Sequence, residues 1–159
     1  EISSYNILFI EEPIGRSIKD YNELRENTKI PISGGESIHQ INDFKDWLKA
    51  NALDIIQPDS NLMGISQLYN LILEIKKYDK QSVLHNWTNS INYAANLHVS
   101  IASEAVSLIE HNVIKNPLNE MIFSTQLRFD KGYVGFRKSV GLGVVLKQEI
   151  LNKFLINID

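Results

Sequence analysis

The stretch LDIIQPD, residues Leu53–Asp59, decides how the chain is read. Leu53, Ile55 and Ile56 make a short apolar, β-branched run of the kind that fills a buried strand. Pro58 ends it, since proline has no N–H to give to a sheet ladder. Asp59 then stands where a buried strand emerges, and a charge is placed there only when something needs it. Working outward, the same pattern recurs on both sides: ILFI precedes Glu11, IPISGG precedes Glu36, SVL precedes His85 and VSLI precedes Glu110. The five ionisable residues fall about 25 residues apart, close to the roughly 30 per βα unit of a (β/α)8 barrel. Barrel strands end at one mouth, where active-site groups project, so one functional group per strand is the signature of a site.

The segments between these strands read as helices. Ser17–Asn27 is polar with Ile18 and Leu24 as contacts. Asn42–Asn51 is amphipathic, with Phe44, Trp47 and Leu48 at i, i+3 and i+4 and Ser37 or Asn42 as candidate cap. Ile65–Tyr78 carries Leu68, Leu71, Ile72 and Ile75 on one face. Ser90–Ser103 places Ile91, Ala94, Ala95, His98 and Ala102 roughly on one face. The strands are expected at Tyr5–Ile10, Lys29–Ser33, Leu53–Gln57, Ser82–Leu84 and Ser107–Ile109. Strands alternating with helices at this spacing predict βαβ units and a parallel sheet. After Pro117 the character changes. Phe123–Phe129 alternates loosely, Lys131-Gly132 is a turn, Tyr133–Phe136 returns, Gly141 and Gly143 punctuate a loop, and Gln148–Phe154 is a short helix. Residues 1–117 are therefore read as part of a barrel, and 118–159 as a segment leaving it for another surface.

Composition narrows the function classes. Of 159 residues, 43% are hydrophobic and 22% charged, ordinary globular usage. A net charge of −3 supplies no basic field for nucleic acid or an anionic membrane. There is no cysteine, hence no disulfide framework and no thiolate metal site. No apolar run approaches the roughly 18 residues of a bilayer span. The chain starts at Glu1, just ahead of a strand, and reads as a fragment of a longer protein.

Glu11 and Glu36 at adjacent strand ends offer hard oxygen ligands suited to Mg2+. Asp59 beside His85 forms a second unit: a carboxylate accepting from one ring nitrogen fixes the tautomer and raises the basicity of the other, which tunes a general base. Asp59 could instead cap the following turn. Glu12 is expected to be a structural ion-pair partner, pointing away from Glu11. Asn86 and Trp87 are candidates to line the pocket, while His39, His98 and His111 read as surface or packing residues and Trp47 as core.

FIEEP at Phe9–Pro13, GGES at Gly34–Ser37, IIQPDSNLMGIS at Ile55–Ser66 and LHNW at Leu84–Trp87 resemble the enolase superfamily, and within it the mandelate racemase branch of the mandelate racemase/muconate lactonizing enzymes. VGLGVVL at Val140–Leu146 is similar to that family's PGLGVEL close, with Val140 in place of the proline. The resemblance implies a fold: about the last five βα units of a (β/α)7β TIM-type barrel, with a C-terminal segment returning toward a capping domain. It also implies roles. Glu11 and Glu36 match the second and third Mg2+ ligands, Asp59 and His85 the Asp-His acid/base dyad, and Glu110 the last-strand Glu that hydrogen-bonds the substrate carboxylate. The family's first metal ligand, its Lys-x-Lys strand and its capping domain have no counterpart here and are expected upstream of Glu1. The 159 residues alone are accordingly not expected to bind metal tightly or turn over substrate.

The absence of a lysine at the end of the Asp59 strand favours the racemase/dehydratase branch. The expected activity is a Mg2+-dependent lyase that abstracts the proton alpha to a carboxylate and dehydrates an acid sugar through an enediolate. The alternatives are a racemase or epimerase using the same intermediate, or a non-catalytic homologue. The expected partner is a small-molecule carboxylate, in a cytoplasmic homo-oligomer, with no nucleic acid and no membrane.

Overall fold

The computed structural model describes residues 2–116, 123–125, 127–137 and 140–154. A 3-10 turn at Ile2–Ser4 leads into five parallel strands in sequential order: β1 (Ile10–Glu11), β2 (Ile32–Gly34), β3 (Ile55–Ile56), β4 (Gln81–Leu84) and β5 (Val106–Ile109). Helices α1 (Ile18–Glu26), α2 (Ile41–Lys49), α4 (Ile65–Lys77) and α5 (Ser90–Ile101) make the crossovers that parallel neighbours require. This is the expected βα arc. All five strands run the same way, so their C-terminal ends share one mouth. No helix among the described residues is long and apolar enough to cross a membrane.

The core lies between sheet and helices. Ile32, Leu53, Ile56 and Leu84 from the strand segments meet Tyr21, Phe44, Leu48, Leu68, Leu71, Ile72 and Ile75 from the helices, all buried. The 3.6-residue spacing that marked α2 and α4 in the sequence is the spacing of these buried side chains. Trp47 packs edge-on against Tyr21 with ring centroids 5.0 Å apart.

Four local expectations are corrected. Only Ile10–Glu11 of the first apolar run pairs in the sheet; Tyr5 and Leu8 are exposed, so the β-branched and aromatic run continues past the ladder. Pro31 precedes β2 rather than lying in it, which spares the ladder a missing donor. The helix α2 starts from Gln40, with no side-chain cap, rather than from Ser37 or Asn42. A one-turn helix, α3 (Ser60–Met63), interrupts the loop after β3; four residues are too few to show a period.

Beyond the barrel arc, β6 (Phe123–Thr125) pairs antiparallel with β9 (Val144–Leu146), and β7 (Leu127–Asp130) with β8 (Tyr133–Phe136). Lys131 and Gly132 turn the second hairpin at φ 49° and 84°, two positive values that match the twist of the flanking strands. The hairpin leans on α5 and on the segment after β5: Phe136 stacks on His98 of α5 at 4.2 Å, and Phe129 packs on His111 at 4.8 Å. Helix α6 (Gln148–Phe154) closes the described chain. The division expected between residues 117 and 118 falls at the edge of a segment outside the described residues.

Candidate active site

β1 and β2 are in register with Glu11 opposite Ser33, three residues before Glu36. The turn between Ser33 and Glu36 is held from both sides. Gly35 sits at φ 115°, and a Cβ there would lie 2.8 Å from Cε1 of the buried Phe44 ring, so only glycine lets the backbone pass this close. Its N–H donates to Oε1 of Glu12 at 3.2 Å. Glu12 itself adopts φ 35°, an uncommon conformation for a side chain with a Cβ. The expected ion pair of Glu12 is thus replaced by a backbone anchor: the residue beside one candidate ligand ties down the loop that carries the other.

Asp59 follows β3 and is buried. Its Oδ2 faces His85 Nδ1 at 3.0 Å, while Oδ1 accepts the N–H of Asn61 at 2.9 Å. Cap and dyad partner, posed as alternatives in the sequence, are both true, one oxygen each. Burial pushes the Asp59 carboxyl up, but the hydrogen bonds from His85, Asn61, Asn92 and Asn96 outweigh it and hold the group below the ordinary carboxylate range. An ionised Asp59 can only accept, so His85 Nδ1 carries a proton and Nε2 is left for chemistry. Nε2 lies 3.5 Å from Glu36 Oε2. The hydrogen bond to Asp59 raises the His85 pKa, helped by the charges of Glu110, Asp59 and Glu36 against an opposing burial effect.

Glu110 completes the arc after β5. Gln57 Nε2 donates to its Oε1 at 3.1 Å and the Asn86 N–H to its Oε2 at 3.0 Å. Burial raises the Glu110 pKa; the Asn86 N–H and His85 pull it down, Glu11's charge pushes it up, and Gln57 pulls it down, for a net rise. Asn86 is buried and returns a second bond from its side chain to the Glu110 carbonyl at 3.2 Å, whereas Trp87 is 60% exposed. His39 is exposed, and His98 and His111 are occupied by ring packing.

The structure therefore gathers Glu36, Asp59, His85 and Glu110 by direct contact or shared partners, and brings Glu11 close enough for its charge to be felt at Glu110. Among the described residues, no Lys or Arg forms an ion pair with Glu11, Glu36 or Glu110. Carboxylates that no Lys or Arg pairs with are chemically fitted to a hard divalent cation. No group of three His, Cys, Asp or Glu is placed to hold one among the described residues.

Sequence reasoning missed Gln57, Asn92 and Asn96. It placed Ile91 and Ala95 on the buried face of α5, whereas Ile91 is 42% exposed and Asn96 is 0%. Hydrophobic periodicity assumes that asparagines face water; here the Asp59 carboxylate supplies a reason to bury them. The available signal was the Asn-x-x-x-Asn spacing, which puts two amides on one helical face.

The sequence profile of the family described as enolase C-terminal domain-like matches residues 1–150, and the chain belongs to that family. It is 30% identical to the D-galactonate dehydratase of Ralstonia pickettii, over 95% of this chain and 42% of that protein. It is 27% identical to the arabinonate dehydratase of Saccharolobus solfataricus, over 96% of this chain and 41% of the other. The crystal structure of the 3,6-anhydro-D-galactonate cycloisomerase from Zobellia galactanivorans superposes with a TM-score of 0.91 at 26% identity, covering 98% of this chain and 45% of that one. The chain thus spans less than half the length of the curated relatives it matches.

Proposed function

We propose that the complete protein is a Mg2+-dependent lyase that dehydrates an acid sugar. The observation that carries this reading is the Asp59–His85 dyad with His85 Nε2 turned to Glu36 at 3.5 Å; similarity to two sugar-acid dehydratases supports it. Glu11 and Glu36 would hold the cation together with a ligand from outside these residues. When bound, the metal supplies positive charge to a carboxylate as it gains electron density.

The remaining steps fall to this chain's side chains. Asp59 keeps the Nδ1 proton on His85, so Nε2 either takes the alpha proton or returns a proton to the departing beta hydroxyl, according to the face the substrate presents. Loss of the alpha proton and of hydroxide, the latter leaving as water, yields an enol that rearranges to a 2-keto acid. Glu110, half-buried and more easily protonated than an ordinary Glu, would donate to the substrate carboxylate as the enediolate forms. A cytoplasmic homo-oligomer, and residues 118–159 as a segment bridging barrel and capping domain, are part of the same proposal.

The test is the full-length protein with Mg2+ on a panel of sugar acids that includes D-galactonate and arabinonate, following 2-keto product and alpha-proton exchange in D2O. Keto product that is lost in His85→Asn upholds the reading. Exchange without keto product replaces it with a racemase or epimerase. Neither signal, together with no Mg2+ binding, leaves a non-catalytic homologue.

A further inference from the structure

The dyad is embedded in a buried polar lattice that does more than fill space. Asn92 and Asn96 stand one turn apart on α5, 6% and 0% exposed. Both aim their amide nitrogens at the same atom, Asp59 Oδ1, at 2.8 and 3.2 Å. Their orientation is forced. The backbone N–H of Ser60 can only donate, and it reaches Asn96 Oδ1 at 3.0 Å; the Ser60 hydroxyl reaches Asn92 Oδ1 at 2.7 Å. The ionised Asp59 carboxylate can only accept, so both NH2 groups must turn to it, and the Ser60 hydroxyl, able to donate or accept, donates to the Asn92 oxygen left facing it. Asn96 Nδ2 also donates to the backbone carbonyl of His85 at 2.8 Å, so one side chain grips both members of the dyad.

The consequence concerns the second oxygen. With the Asn61 N–H, Oδ1 of Asp59 receives three donors and is saturated. The carboxylate has no freedom to rotate, and among the described residues Oδ2 is left with one partner, Nδ1 of His85. Asn92 Nδ2 lies a further 3.4 Å from Asn86 Oδ1, and Asn86 carries the bonds to Glu110. One helical face thereby connects the dyad to the last acid of the mouth.

We propose that Asn92 and Asn96 are positioning residues that lock His85 in the Nδ1–H tautomer with Nε2 toward the mouth. The catalytic meaning of this lock rests on the dehydratase reading; the lock itself does not. The test is made on full-length protein with 15N-labelled histidine, reading the ring nitrogens of His85 by two-bond proton–nitrogen correlation at a pH where the ring is neutral. Loss of the signal in His85→Asn assigns it.

Wild type shows one tautomer, Nδ1–H. Asn92→Leu and Asn96→Leu, which keep the native branching shape, give a mixture with Nε2–H. Their kcat falls about 10- to 100-fold, while KM for whichever sugar acid is turned over stays within about threefold. Asn96 is wholly enclosed and its variant can fail to fold; Ser60→Ala, which frees only the Asn92 oxygen, then carries the same prediction in smaller degree. A single Nδ1–H tautomer retained in the folded variants overturns the proposal, whatever happens to turnover. A protein that shows the tautomer change yet dehydrates no sugar acid upholds the lock and refutes the dehydratase reading instead.

Discussion

Two aspartates bracket β3, and they live differently. Asp54, at its start, is surrounded by cations: Arg25 pairs with both of its oxygens, Lys80 Nζ lies 3.9 Å away, and the Ile32 N–H donates to it at 2.9 Å. Asp59, past its end, pairs among the described residues with no Lys or Arg and only with the imidazole of His85; its other donors there are neutral amides. The first arrangement neutralises a charge and ties α1, β2 and β4 together at the base of the sheet. The second preserves a negative charge in the mouth and points it at one imidazole. A carboxylate matched by guanidinium and ammonium has its charge compensated in the fold itself; one held by amides keeps it available to chemistry.

The sharpest way to break the comparison is Asp59→Asn. The three-donor side selects the new oxygen, so the new NH2 faces Nδ1 of His85, which must then accept and carry its proton on Nε2. The expected outcome is a loss of about 10²- to 10⁴-fold in kcat, with the circular dichroism spectrum unchanged, measured on the full-length protein with the sugar acid it turns over. Next comes Gly35→Ala. The added Cβ meets the Phe44 ring at 2.8 Å at a backbone angle that side chains avoid, so stability falls by about 2–3 kcal/mol in a denaturant titration. Because Gly35 precedes Glu36, Mg2+ affinity by calorimetry falls with it.

Asp54→Asn is the counterpart at the base. It should cost about 1–2 kcal/mol, allowing for the partial exposure of the pair, and leave kcat within twofold. It also has a pH signature. Burial pushes the Asp54 carboxyl up, but the Arg25 hydrogen bond, the Ile32 N–H and the charges of Arg25 and Lys80 carry it below its ordinary 3.8. A depressed carboxylate contributes stability that is complete above 3.8 and is lost as pH falls through the lower, folded value. Wild type should therefore lose stability in that acid window, and Asp54→Asn should lose less of it. The smallest effect is Ser17→Ala, which removes the Oγ that caps α1 through the Asp20 N–H at 3.3 Å. It should cost about 0.5–1 kcal/mol by thermal melt, without touching either aspartate.

The contrast between the ends of β3 also explains what could be read beforehand. Strand after strand ending in an ionisable group is a one-dimensional pattern, so the five-strand arc and the grouping of Glu36, Asp59, His85 and Glu110 were legible in sequence. The helices α2 and α4 were legible because apolar side chains alone bury their faces. Helix α5 was legible as a helix but its buried face was not, since two of its buried positions are asparagines whose partner lies more than 30 residues away. The same limit hid Gln57, which reads as a polar residue before a proline and is in fact a donor to Glu110. At β1 the error ran the other way. Apolar and aromatic character continues over residues 5–9, but a strand needs a neighbour in register, and only Ile10 and Glu11 have one.

The five-residue step from Asp54 to Asp59 carries a consequence for descent. An extended chain covers about 17 Å in that distance, and each aspartate keeps its own set of partners. The partners that set the two carboxyls, Arg25, Ile32 and Lys80 at one and His85, Asn61, Asn92 and Asn96 at the other, consequently share no residue. Lineages can exchange Arg25 or Lys80 for other residues as habitat temperature or acidity shifts, leaving the imidazole's setting untouched, and can remodel the mouth for a new substrate without first re-earning a fold. Such a barrel strand works as an insulator between two separately heritable traits.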